Sequence, residues 1–117
     1  MKQWPLLNDS DFLEKLRLLV GKRRRFRVNG PSMLPALQEG EEVLVDVHAY
    51  AQVMPQVGDV VVAQHPYKKI KLIKRVVEIL KDGRFILKGD NLPESSDSRD
   101  FGAVSREQII GRVTSKF

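Results

Sequence analysis

Ile70-Lys71-Leu72-Ile73-Lys74-Arg75-Val76-Val77-Glu78-Ile79-Leu80, closed by Lys81-Asp82-Gly83 and answered by Arg84-Phe85-Ile86-Leu87-Lys88, reads as a β-hairpin. Apolar and β-branched residues fill both runs, and Asp-Gly suits the tight turn between them. Side chains on a strand alternate between faces, so Leu72, Lys74 and Val76 share one face and Lys71 and Arg75 take the other. Lys74 is thereby set among apolar neighbours.

The β pattern extends outward in both directions. Arg23–Val28 alternates loosely, and Glu42–Val47 is rich in valine. Val57-Gly58-Asp59 is a turn that leads into Val60-Val61-Val62-Ala63, and Ile109–Thr114 forms a last strand. Residues 89–104 are polar and turn-rich. Ser105, with Gln108 three residues on, fits a capping box. Ahead of the strands, residues 8–21 predict a helix: Asn8, Asp9 and Ser10 offer caps and Gly21 a stop, while Phe12, Leu16, Leu19 and Val20 fall on one face. The expected role of that face is to cover one side of the sheet. The alternative is a helix for a partner or a membrane surface, since it leads into a basic run. The whole reads as one mainly β domain over residues 1–117, with a helix at 8–21 and a β core at 23–117.

The composition narrows the chemistry. The 117 residues contain no cysteine, which removes disulfides, thiolate metal sites and cysteine nucleophiles and leaves the redox compartment open. His48 and His65 are far apart, with no carboxylate at ligand spacing, so no metal or cofactor is expected. The net charge is +5, concentrated in Lys22-Arg23-Arg24-Arg25, Arg27, Lys68, Lys69 and Lys71. No aromatic platform for base stacking is interleaved with these charges, so this is read as a solvated or protein-docking face rather than a nucleic-acid site. No run approaches the ~18–20 apolar residues of a membrane span. Phe12–Val20 is broken by Glu14, Lys15 and Arg17, and no signal-peptide pattern opens the chain. The expectation is a cytoplasmic protein with no transmembrane segment.

Two short stretches could carry a reaction. In Gly30-Pro31-Ser32-Met33-Leu34-Pro35, a tight turn presents the Ser32 hydroxyl, which needs a base to become a nucleophile. Such a turn also aims backbone N–H groups at a developing oxyanion. Lys74 is the candidate base. A lysine amine ordinarily titrates near 10.4, and lowering it to near 8 takes roughly 3 kcal/mol of differential desolvation, within reach of an apolar strand face. In the polar loop, Ser95 can orient an amine, and Asp97 and Arg99 can form an ion pair. Gly89-Asp90-Asn91 reads as a turn whose side chains bond local N–H groups.

Taken in order, these segments resemble the type I signal peptidases, a family of serine–lysine proteases. The matching pieces are Gly30-Pro31-Ser32-Met33-Leu34-Pro35, Gly58-Asp59-Val60-Val61, Ile73-Lys74-Arg75-Val76, Gly89-Asp90-Asn91, Ser95-Ser96-Asp97-Ser98-Arg99 with Gly102, and Ile109-Ile110-Gly111-Arg112-Val113. The resemblance implies an antiparallel β-sheet domain of the kind also found in self-cleaving repressors related to the SOS repressor. It implies Ser32 as nucleophile and Lys74 as general base, with Ser95 positioning the amine, Asp97 and Arg99 bracing the site, and Met33 lining the substrate cleft. The Ser32 N–H would be one oxyanion donor. Ala36 replaces the family's usual threonine, and Gly30 lacks the hydroxyl that some members use as a second donor. The family's Pro-Gly-Asp box after the lysine has no counterpart here, and the expectation is a member without the family's N-terminal anchor. Within the family, Val57–Tyr67 looks like the maturation proteases of nickel-type superoxide dismutase. That likeness implies a protein substrate, the dismutase precursor, and loss of its N-terminal propeptide.

Overall fold

The structure is a computed structural model and describes residues 4–91 and 98–117. Its elements are α1 (Phe12–Leu19), β1 (Arg24–Arg27), β2 (Glu42–Asp46), β3 (Val60–Gln64), β4 (Lys71–Ile79), β5 (Phe85–Lys88), α2 (Ser98–Phe101) and β6 (Ile109–Lys116). A 3-10 turn at Arg106–Gln108 precedes β6 and carries the Ser105–Gln108 capping box. The six strands form one antiparallel sheet in the order β1-β2-β6-β3-β4-β5. The mainly β expectation and the β4–β5 hairpin therefore hold.

The C-terminal strand lies in the middle of the sheet, between β2 and β3. Gly111 makes this approach possible. A Cβ there would stand 2.6 Å from the Asp46 carbonyl oxygen and 2.9 Å from Val45 Cγ1. Register shifts at Leu44/Val45, Val62/Ala63 and Val76/Glu78 interrupt the ladders and add twist.

Both faces of the sheet carry core. On β3, Val61 and Ala63 join Tyr50, Val76, Phe85, Leu87, Phe101, Val104 and Ile109. Val60 and Val62 join Val28, Met33, Leu37, Val43, Val45 and Val113. This is the strand alternation, with each face sealed by its own cluster.

The helix differs from the sequence expectation in length and in orientation. Asn8 and Ser10 exchange backbone hydrogen bonds with Lys116 on β6, so residues 8–10 run beside a strand and Asp11 becomes the cap, accepting from the Glu14 N–H at 2.8 Å. The apolar face does not cover the sheet. Glu14 is the buried residue of α1, whereas Phe12 is 82% exposed and Leu19 81%. Glu14 accepts hydrogen bonds from Thr114, Ser115, Arg17 and Arg23, and this polar cluster turns the helix inside out.

Candidate active site

β3 and β4 pair with Val61 opposite Lys74 and Val60 opposite Arg75. Lys74 therefore shares its face with Val61 and Val76, both buried, and with half-buried Leu72. The Lys74 side chain is itself almost wholly enclosed, at 4% exposure. Its amine lies 2.8 Å from Ser32 Oγ, across 42 residues of sequence. With the amine protonated, Nζ donates to the hydroxyl. With the amine neutral, the same separation lets the hydroxyl donate to nitrogen, the arrangement a general base needs.

The serine loop begins at Gly30, whose φ of +80° is the left-handed backbone that glycine tolerates. It ends in the core, where Met33, Ala36 and Leu37 are buried. From the other side, Asn91 holds it: the Asn91 N–H donates to the Ser32 carbonyl at 2.8 Å, and Nδ2 donates to the Pro31 carbonyl at 3.1 Å.

Asp90, next to Asn91, holds the lysine strand. Arg75 Nε and Nη2 donate to the two Asp90 carboxylate oxygens at 2.9 and 2.8 Å, a bidentate pair buried on both sides. Arg75 Nη1 donates to the Gly58 carbonyl at 2.8 Å, and the Trp4 ring lies 5.3 Å from the guanidinium. The Gly58-Asp59 turn is tied to the same strand: Gly58 N–H donates to the Val76 carbonyl, and Val76 N–H to that of Asp59. Asp59 in turn accepts from Tyr50 Oη at 2.7 Å. Burial, then this carboxylate, pushes the Tyr50 phenol far above its ordinary range and keeps it a neutral donor.

A cleft of about 280 Å³ opens at the pair, lined in part by Asn29, Ser32, Met33, Leu72 and Lys74. It adjoins a wider groove of about 620 Å³ along Phe26, Arg27, Gln64 and Lys71. β5 pairs with β4 from Arg75 to Ile79, so Lys71–Ile73 lie beyond that ladder. The structure thus brings Ser32, Met33 and Lys74 to one cleft. Arg99 is an exposed residue of α2, while Ser95 and Asp97 lie outside the described residues. Sequence reasoning missed the roles of Arg75, Asp90 and Asn91. All three stand inside matched motifs, but their partners are distant in the chain. Among the described residues, no group of three or more His, Asp or Glu side chains is placed to hold a metal.

Comparison with known proteins identifies the family of the chain. The family profile described as "Signal peptidase, peptidase S26" matches residues 16–79 and 78–117. The chain is similar to a probable signal peptidase I-1 of Synechocystis, at 24% identity covering 97% of this chain and 84% of the relative. It is similar to the mitochondrial inner membrane protease subunit 1 of Xenopus tropicalis, at 30% identity covering 73% of this chain and 63% of the relative. Signal peptidase IB of Staphylococcus aureus shares 23% identity, covering 79% of this chain and 76% of the relative.

Proposed function

We propose a function on one premise: the chain belongs to the signal peptidase family and is a serine protease of that kind. In our reading, Ser32 is the nucleophile and Lys74 the general base, and the carrying observation is the 2.8 Å contact between a buried amine and the hydroxyl. The neutral amine takes the Ser32 proton as Oγ attacks the scissile carbonyl, and the resulting ammonium delivers that proton to the leaving amine. A water activated by the same lysine then hydrolyses the ester. The substrate enters as an extended segment against the edge of β4 at Lys71–Ile73, where backbone hydrogen bonds can extend the sheet. Ser95 orients the amine, Asp97 and Arg99 brace the site, Met33 shapes the cleft wall, and the Ser32 N–H serves the oxyanion.

The finer reading is removal of the N-terminal propeptide from a nickel superoxide dismutase precursor, placed in the cytoplasm. It rests on the run Val57–Tyr67. That run builds the Gly58-Asp59 turn, strand β3, and a turn in which His65 Nδ1 accepts the N–H groups of Tyr67 and Lys68. Nickel belongs to the substrate and takes no part in the cleavage. Incubating the chain with such a precursor and reading the product's N-terminus by mass spectrometry tests this. A single new terminus, absent with Ser32→Ala, supports it, and an uncut precursor overturns it. The second reading, processing of a different precursor, is favoured by the relatives, two of which are named as signal peptidases. Cleavage of an exported precursor in place of the dismutase would select it.

A further inference from the structure

The outward face of α1 has no use in the chemistry above, and its arrangement is the reverse of an ordinary surface helix. At 3.6 residues per turn, Phe12, Leu16 and Leu19 form one stripe, flanked by Leu13 and Val20, and Glu14 projects from the opposite side. Glu14 is buried, and all five apolar residues are exposed. Phe117 extends the stripe at the chain's end. It borders an apolar hollow with Leu18 and Leu19, and the rim of that hollow is Lys15 and Arg25. Arg25 lies over the Phe117 ring at 4.2 Å and Lys15 Nζ at 6.0 Å. Lys22 follows the helix and is exposed.

Folded monomers rarely leave a contiguous apolar patch of this kind uncovered. The polar anchor of Glu14 to Thr114 and Ser115 sets the helix orientation, so the patch cannot roll inward without breaking those hydrogen bonds. We infer that α1 and Phe117 form a membrane-surface site that seats this protein on an anionic bilayer. Phe12, Leu16 and Leu19 enter the boundary between headgroups and acyl chains, and Lys15 and Lys22 meet lipid phosphates.

Three observations favour a bilayer over a protein occupant. The apolar stripe carries a cationic rim, the pattern of helices that lie in the lipid interface. Nearby carboxylates are already engaged: Glu14 is buried, Glu42 accepts from Arg25, Asp46 pairs with Arg23, and Asp11 caps the helix. Pairing of two copies through this face would bring two surfaces of the same net positive charge together, which disfavours it. At eight residues, α1 is far shorter than the ~20 needed to cross a bilayer, and no described helix is long and apolar enough to do so. The helix therefore lies in the plane of the interface.

Flotation of the full chain with lipid vesicles tests the site. Vesicles of phosphatidylcholine mixed equally with phosphatidylglycerol should carry the protein, and pure phosphatidylcholine should carry much less. Added salt should weaken binding, because the cationic share is screened. The Phe12→Ser, Leu19→Ser double variant and, independently, the Lys15→Glu, Lys22→Glu variant should each lower the partition coefficient by roughly tenfold or more. All four side chains are exposed, so thermal unfolding should be unchanged. Equal flotation of wild type and both variants overturns the site. So does absence of binding to anionic vesicles, or a dimer that Phe12→Ser, Leu19→Ser dissolves in a chain that ignores vesicles.

Discussion

Asn91 donates its backbone N–H to the carbonyl of Ser32, 59 positions earlier in the chain, at 2.8 Å. Its neighbour Asp90 grips Arg75, and Arg75 is the neighbour of Lys74. Two adjacent residues thus hold the serine loop with one hand and the lysine strand with the other. The 2.8 Å contact between amine and hydroxyl is a product of this clamp as much as of the two side chains that make it.

Ser32→Ala and Lys74→Met should each lower peptide cleavage by about a thousandfold or more, since nucleophile and base act as a unit. Methionine keeps the apolar packing of the lysine stem, so the circular dichroism of both variants should match wild type. With chemistry rate-limiting, the wild-type rate should climb with pH, because only the uncharged amine accepts a proton. A pH-independent rate, or a folded Lys74→Met that still cleaves, excludes the lysine as base.

Asn91→Ala removes the side-chain hydrogen bond to the Pro31 carbonyl and keeps the backbone bond to Ser32. One such bond contributes about 1 kcal/mol, so kcat should fall roughly fivefold to tenfold with KM little changed. A change confined to KM would show that Asn91 serves substrate binding and not the loop.

Arg75 and Asp90 form a buried bidentate pair. Removing one partner strands a charge, so Asp90→Ala and Arg75→Met should each cost about 3–5 kcal/mol in urea unfolding. The double variant should recover part of that loss. Strict additivity of the two single costs would mean the pair is not coupled.

Gly111→Ala places a methyl group against the Asp46 carbonyl, at the crossing of β6 and β2. Backbone cannot give way as a side-chain tip can, so a loss of about 3 kcal/mol or more is expected, read as a fall in Tm. An unchanged Tm would show that β2 can move aside.

Glu14 is predicted to tie stability to pH. Burial alone raises its carboxyl, but hydrogen bonds from Thr114, Arg17 and Ser115 and the charge of Arg23 outweigh burial and hold it below its ordinary value of 4.5. A carboxyl lowered by folding stabilises the fold fully above its unfolded value, and the contribution fades as pH drops through the folded value. The stability gap between wild type and Glu14→Gln should therefore be widest near neutrality and should shrink below pH 4.5. A gap that stays constant from neutrality into acid would refute the linkage.

Local pattern was enough to read the β-hairpin, the turn at Gly58-Asp59, the capping box at Ser105, the serine in its Gly-Pro turn and the apolar face of Lys74. Each depends on residues a few positions apart, where alternation, φ preference and capping act directly. The insertion of β6 between β2 and β3, the Asp90–Arg75–Gly58 bracing and the Asn91 hold on the serine loop join residues from 15 to 73 positions apart, and nothing local selects those partners. The helix shows the same division. Its periodicity revealed an apolar stripe, but the stripe's direction depended on where Glu14 could find hydrogen bonds. Those donors, Thr114 and Ser115, lie about a hundred residues away on the strand that completes the sheet.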